Sequence, residues 1–429
     1  MRVHVWKEWF YRNRFLSGVL ALASATAAGQ LILVLATPLL TRIYAPDEFG
    51  ILAVFLAVMS IVLVISSLRY ELAIPLARSA QNARLLLTLA LAINAIVAII
   101  SLLAVILFRE DMARLNKMPA LGEYLWLMPV VIFCGGSYKA FNYWAVRNND
   151  YKSIARTKIV QSCANVGVQL VAGFSGLGAL GLILGQLVGQ AAGAARLAKG
   201  TGLYFCSLVA VFSSRKSRVL LRQYQRFPKY DVPASAINVV STQLPNILLA
   251  ALFSPEIAGL YMLAERVLSI PMSLLAQAVG QVLFGSSRNA IKSGKLNRLA
   301  LKIVWGLSVI ILFPALLVFF AAEDIFVWIF GDAWREAGLF ASWMILGLSV
   351  QFVYSPISML LMVTNGQNIN LYIHAFMFCA KAGSVVFGYY LESPLIAILG
   401  FSMVGVVGYA GAVFITLMHA KRHEASVAV

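Results

Sequence analysis

Long apolar runs alternate with short polar or Pro/Gly-bearing links from one end of this chain to the other. A helix needs about 20 apolar residues to cross the hydrocarbon of a bilayer. The pattern predicts twelve such spans, over 15–40, 49–68, 85–108, 124–144, 159–174, 177–196, 232–253, 257–284, 299–321, 337–363, 369–391 and 394–418. The links between them carry helix-breaking or capping residues, as in Ala45-Pro46-Asp47, Ser254-Pro255-Glu256 and Glu392-Ser393-Pro394. The fifth span is the shortest. The apolar stretch Leu203 to Phe212 is too short to span, so it is expected to lie at the interface or to extend helix six. The first run, from Phe15, is too long for the core of a secretion signal and is expected to remain as helix one.

Composition agrees with the pattern. Of 429 residues, 61% are hydrophobic and 12% charged, whereas a soluble domain carries roughly 25% charged residues. The polar side chains cannot cover a core in water, so the reading is an all-α integral membrane protein. A net charge of +17 would ordinarily suggest nucleic acid, but the cations sit in the links rather than on one face. With the N-terminus placed in the cytoplasm, 26 of the 34 Lys and Arg fall on the cytoplasmic side. Only Arg42, Arg109, Arg114, Lys117 and Arg335 fall on the other. This is the positive-inside bias, with both termini cytoplasmic and no nucleic-acid partner. Cys134, Cys163, Cys206 and Cys379 show no metal or disulfide spacing, and His4, His374, His419 and His423 form no metal motif.

An internal repeat orders the helices. Tyr44-Ala-Pro-Asp-Glu-Phe-Gly50 and the run onward to Ile61 align with Phe253-Ser-Pro-Glu-Ile-Ala-Gly259 and the run onward to Ile270, with Pro, Gly, Val, Ser and Ile in the same places. Six helices separate the copies, so both enter the membrane in the same direction, as in transporters built from parallel repeats. The domains expected are an N-terminal six-helix lobe (1–198), a basic cytoplasmic linker (199–231), a C-terminal six-helix lobe (232–420) and a tail (421–429).

Charges inside spans are the candidate chemistry, since each costs about 2.5–3.5 kcal/mol at the bilayer centre on insertion scales. Glu265 and Arg266 lie eight to nine residues into span eight, and Lys381 lies near the middle of span eleven. Lys139 sits toward the cytoplasmic end of span four, Arg69 with Glu71 closes span two inside, and Arg42 closes span one outside. Three interior cations against Glu265 suit a cavity for a phosphate or diphosphate; alternatively each cation meets an acid and only pins helices together. Glu265 itself reads as a proton- or sodium-coupling acid or as an ion-pair partner. Gly181, Gly185, Gly189 and Gly193 form a close-packing ridge on span six. Gln186 and Gln190 flank it and could join helices or contact sugar hydroxyls. Asn142, Tyr143 and Trp144 are read either as sugar contacts or as an interfacial belt.

Nothing marks an enzyme: there is no paired-carboxylate loop, no phosphate-cradling glycine loop, no nucleophile elbow, no metal site and no cofactor. The one long link, 199–231, is rich in basic residues (Arg215, Lys216, Arg218, Arg222, Arg226, Lys229) and is expected to run along an anionic membrane surface.

Five stretches together resemble a known family: Pro38-Leu-Leu-Thr-Arg-Ile-Tyr-Ala-Pro-Asp-Glu-Phe-Gly50, Ser67-Leu-Arg-Tyr-Glu-Leu-Ala-Ile-Pro75, Arg226-Phe-Pro-Lys-Tyr230, Gly259-Leu-Tyr-Met-Leu-Ala-Glu-Arg-Val-Leu-Ser-Ile-Pro271 and Phe330-Gly-Asp-Ala-Trp334. The chain resembles Wzx-type O-antigen or polysaccharide flippases, in the polysaccharide-transporter branch of the multidrug/oligosaccharidyl-lipid/polysaccharide (MOP) exporter superfamily. The resemblance implies two pseudo-symmetric six-helix bundles in a V around a cationic cavity, in the bacterial inner membrane. It implies alternating access, coupled to H+, Na+ or the membrane potential, that carries an undecaprenyl-diphosphate-linked oligosaccharide to the periplasmic leaflet. A polysaccharide polymerase and a chain-length regulator are the implied partners. Roles carry over to Arg42, Arg69, Glu71 and Arg266, which lie within the matching motifs, while Lys139 and Lys381 rest on burial alone. An ion-coupled multidrug exporter of the same fold and a membrane glycosyltransferase or polymerase are the competing readings.

Topology is directly testable. Alkaline phosphatase inserted within 109–123 should be active and the same reporter within 199–231 silent; the reverse pattern would invert the orientation.

Overall fold

The computed structural model describes residues 14–115, 119–201, 214–292, 294, 296–364 and 366–427. The stretch Leu203 to Phe212 therefore lies outside the described residues, as do Cys206 and His4. The described residues include no strand and twelve helices of 20 residues or more. They are α1 (Arg14–Ile43), α2 (Pro46–Ile65), α3 (Ala80–Leu115), α4 (Met128–Arg147), α5 (Tyr151–Phe174), α6 (Ala179–Ala198), α7 (Val232–Leu252), α8 (Pro255–Lys292), α9 (Leu296–Phe330), α10 (Arg335–Ile357), α11 (Gln367–Tyr390) and α12 (Pro394–Val427).

Every predicted span falls on one of these helices. Eleven are long and apolar enough to cross a bilayer, and α5 is the exception. It is a 24-residue helix that starts earlier than its apolar pattern, because Asp150 caps it by accepting from the Ser153 amide at 3.1 Å. Its polar side chains face neighbours within the bundle. The Gln169 side chain donates to the Leu182 carbonyl at 3.1 Å, and Tyr44 donates to the Gln169 carbonyl at 2.6 Å. The glycine ridge of α6 is what lets α5 come so close. A Cβ on Gly185 or Gly193 would collide with the Gln169 or Gln161 side chain, and one on Gly189 would lie 3.1 Å from the Gln161 carbonyl.

The chain divides into two compact units. The first comprises Met1–Tyr44 and Ile51–Gln243, the second Ala45–Gly50 and Leu244–Val429. This differs from the expected boundaries in two ways. The basic stretch from Ser214 onward is not a separate linker. Its helix, Arg215–Gln223, buries Ser217 and Leu220, and Tyr70 donates to the Leu221 carbonyl at 3.1 Å. Burial pushes the Tyr70 phenol above its ordinary value, which keeps it a neutral donor. Tyr224 donates to the Leu76 carbonyl at 3.3 Å. The second difference is that Ala45–Gly50 belongs with the later unit, for a reason visible in the repeat.

In the second unit the two repeated turns pack on each other reciprocally. Each starts its helix with proline at the first helical position, where a missing N–H costs nothing. Ser254 caps α8 by accepting from the Ile257 amide at 3.2 Å, while Glu48 reaches back to the Ala45 amide at 2.8 Å. A Cβ on Gly50 would collide with the Pro255 carbonyl, and one on Gly259 with the Pro46 carbonyl. The equivalent glycines thus meet the equivalent prolines, a local two-fold relation. Next to this crossing, Phe49 packs edge-on against Trp334 with ring centroids 5.0 Å apart, both fully buried.

Alanine at Gly50 or Gly259 should therefore force backbone apart, at a cost of about 1–3 kcal/mol. The measurement is thermal unfolding of the purified protein in detergent; melting unchanged from wild type would show that the crossing tolerates a methyl group.

Candidate functional site

The candidate residues fall into groups that lie within single units. In the first unit, the turn after α2 bends sharply: Leu68 and Arg69 adopt left-handed backbone, with φ of 49° and 62°. For residues other than glycine such conformations cost on the order of 1–3 kcal/mol and persist only where the surroundings enforce them. Three supports do so here. Arg147, at the end of α4, donates to the carbonyls of Ile74, Pro75 and Ala77 at 3.2, 3.2 and 2.7 Å. Glu71, 1% exposed, accepts a very short hydrogen bond from Ser67. Tyr70 ties the turn to the helix at 215–223.

The bend presents Arg69 to Asp231, with Nε 3.4 Å from Oδ2. Asp231 ends the π-helical stretch Phe227–Asp231 that leads into α7. Lys139 donates to the Leu63 carbonyl at 2.9 Å and feels both Glu71 and Arg69. Tyr143, one turn along α4, lies in electrostatic range of Glu71, Arg69 and Asp231. Asn142 and Tyr143 stay partly exposed, whereas Trp144 is taken up in the core with Tyr70, Ile74 and Phe141. The Trp144 side chain is buried there, with its indole Nε1 making no hydrogen bond among the described residues. Arg42 is exposed in the last turn of α1.

In the second unit, the Lys381 ammonium lies over two rings, 4.4 Å from the Phe401 centroid and 5.0 Å from that of Tyr409. Desolvated cation–π contacts of this kind reach about 2 kcal/mol. Glu265 is the acid in electrostatic range of Lys381, and the Asn246 side chain hydrogen-bonds it. Arg266 follows Glu265 by one residue, which turns it about 100° around the helix. It is partly buried, and among the described residues it makes no hydrogen bond or ion pair.

This corrects the expected charge balance. The sequence count set three interior cations against Glu265 alone; the structure adds Glu71 beside Lys139 and Asp231 beside Arg69. Lys381 is matched by Glu265 and two aromatic faces. Among the described residues, Arg266 is what remains of the interior excess.

The third group is a cavity of about 190 Å³ in the first unit, between α1, α5 and α6. Gln186 and Gln190 line it, as do Gln30, Lys158, Gln161 and Asn165. Sequence reasoning named the two α6 glutamines and missed the rest. The signal was present, since Gln161, Asn165 and Gln169 recur every fourth residue along the one helix too polar to score as a span. No group of three or more His, Cys, Asp or Glu suited to a metal occurs among the described residues.

Residues 39–338 match the model of the family described as polysaccharide biosynthesis protein. The chain belongs to this family. The matched region contains Arg42, Arg69, Glu71, Lys139, Glu265 and Arg266 and ends before Lys381. A relative outside this chain, the succinoglycan biosynthesis transport protein ExoT of Rhizobium meliloti (strain 1021), is 28% identical over 319 residues. The match covers 72% of this chain, which spans 60% of the length of that relative. Among solved structures, an inward-facing multidrug resistance MATE family transporter of the MOP superfamily aligns over 92% of this chain and 96% of its own, with a TM-score of 0.70 at 15% identity. The lipid II flippase MurJ, in an inward closed conformation, aligns over 95% and 91%, with a TM-score of 0.67 at 15% identity. At such identities the likeness establishes the fold, which for this polysaccharide biosynthesis protein is that of the MOP transporters. It is a multi-pass membrane protein.

If Glu265 and Lys381 neutralise each other, their substitutions should not add. Glu265→Ala and Lys381→Met should each lower the melting temperature, and the double variant should lose less than the sum, with a coupling of about 0.5–3 kcal/mol. Strict additivity would show that the two groups do not interact.

Proposed function

We propose that this protein is a flippase that carries a polyprenyl-diphosphate-linked oligosaccharide, an O-antigen-like or other surface-polysaccharide repeat unit on undecaprenyl diphosphate, from the cytoplasmic to the periplasmic leaflet. The observation that carries the reading is Arg266. A guanidinium in the first half of a membrane-spanning helix, with no carboxylate of its own, is costly unless an anion reaches it. A diphosphate supplies two phosphoryl groups that suit the planar fork of arginine. Membership of the polysaccharide biosynthesis family and the MOP fold support the same substrate class, and the transport role of ExoT is consistent with it.

The protein sits in the inner membrane with both termini in the cytoplasm and the basic stretch 215–229 on the anionic inner surface. Asn142 and Tyr143, beside the Arg69 cluster, offer hydrogen bonds to sugar hydroxyls. Alternating access is driven by an ion gradient or the membrane potential, and Glu265, coupled to Lys381, is the acid placed to respond to it. A polymerase and a chain-length regulator would take the repeat unit once it is outside. Export of cationic drugs is disfavoured by these charges, because each interior acid already has a cation beside it.

Arg266→Ala should abolish surface polysaccharide in a strain lacking its own flippase while protein levels stay normal, and Arg266→Lys should retain part of it. Full polymer from Arg266→Ala would remove this residue from the substrate path.

A further inference from the structure

The cavity between α1, α5 and α6 has a chemistry unlike that of the charged groups. Five carboxamides line it, from Gln30 on α1, Gln161 and Asn165 on α5, and Gln186 and Gln190 on α6. None of the lining residues is a carboxylate, so a metal ion or a drug cation finds no counter-charge there. Its one cation, Lys158, lies over the Tyr138 ring at 5.1 Å. The Asn165 amide donates to the Gln186 carbonyl oxygen at 2.7 Å, an orientation that commits one donor and one acceptor. Asn165 Oδ1 and Gln30 Oε1 are buried with no hydrogen-bond partner.

Buried amide oxygens without donors cost about 1–3 kcal/mol each, and hydrocarbon offers none. Carboxamides pair best with groups that both donate and accept, which is the property of a hydroxyl. The α6 glycines hold the floor of this space open, for Gly189 is itself part of the lining. A volume of about 190 Å³ has room for a sugar ring.

We infer that this amide-lined cavity is a neutral-sugar subsite that reads the hydroxyl or acetamido groups of one residue of the passenger, apart from the cation that meets its diphosphate. The inference rests on the flippase reading and gives it a source of sugar selectivity. The glutamines at 186 and 190 bind in concert with Gln30, Gln161 and Asn165 rather than as isolated contacts.

The test compares two probes on the full-length protein in detergent: polyprenyl diphosphate carrying a single hexose, and bare polyprenyl diphosphate. The wild type should bind the sugar-bearing lipid about fivefold or more tightly than the bare one, the worth of one or two hydrogen bonds. Gln161→Leu and Gln190→Leu, near-isosteric changes on different helices, should each reduce that preference to about twofold or less. Affinity for the bare lipid should stay unchanged, which also shows that the variants are folded. Equal wild-type affinity for the two lipids, or a preference that survives both substitutions, overturns the subsite and leaves the flippase reading standing. Failure of the wild type to bind either lipid overturns both.

Discussion

Hydrocarbon offers no hydrogen bonds, so each polar group that a membrane helix carries must find its partner within the protein. In this chain that requirement governs where helices meet. Asn94 of α3, fully buried, donates to the Phe133 carbonyl of α4 at 2.8 Å and to Ser137 at 3.2 Å. Lys139 donates a hydrogen bond to the Leu63 carbonyl of α2. In the second unit Ser402 of α12 donates to the Trp343 carbonyl at 2.5 Å and accepts from the Gly347 amide of α10 at 3.1 Å. Tyr354 reaches Asn370 at 2.8 Å. Small residues make the approach possible, and the polar groups then fix which helices pair and in what register.

The same rule makes the exceptions informative. Lys139, Arg69 and Lys381 each have an acid nearby. Arg266 does not, and neither do the orphaned amide oxygens of the first-unit cavity. A guanidinium needs an anion, and clustered carboxamides need hydroxyls. A lipid-linked saccharide, the class of passenger proposed for this protein, carries both kinds of group. The strained turn at Leu68 and Arg69 belongs to the scaffold side of this division: its cost is offset by Arg147, Glu71 and Tyr70, and its yield is a fixed arginine facing Asp231.

The helices were legible in the sequence because the membrane imposes a simple length and polarity code. The fifth helix was also legible, although it is not among those apolar enough to cross a bilayer and only the Asp150 cap shows where it starts. The repeat was legible too, and the glycines that define it mark a point where backbones cross too closely for a methyl group. The motif Phe330-Gly-Asp-Ala-Trp334 acquires a physical meaning only in three dimensions, where Trp334 closes over Phe49. Charge pairing was hidden. Asp231 lies 162 positions from Arg69 in numbering, and nothing local announces that a π-helical stretch brings it back. The count of interior cations was therefore too generous, and the aromatic cover of Lys381 by Phe401 and Tyr409 was invisible. The cavity was half seen: the pattern of glutamines on α6 stood out against its glycines, but their partners on α5 looked merely polar.

The central claim is that the protein moves a lipid-linked sugar between leaflets. Its most direct measurement uses sealed vesicles containing the purified chain and a polyprenyl-diphosphate-linked hexose in both leaflets, probed from outside with a membrane-impermeant enzyme that modifies the sugar. Modification that extends to the inner-leaflet pool, and only in vesicles that contain the protein, is the result this account predicts. Modification confined to the outer leaflet, as in protein-free vesicles under every imposed ion gradient and potential, would contradict it.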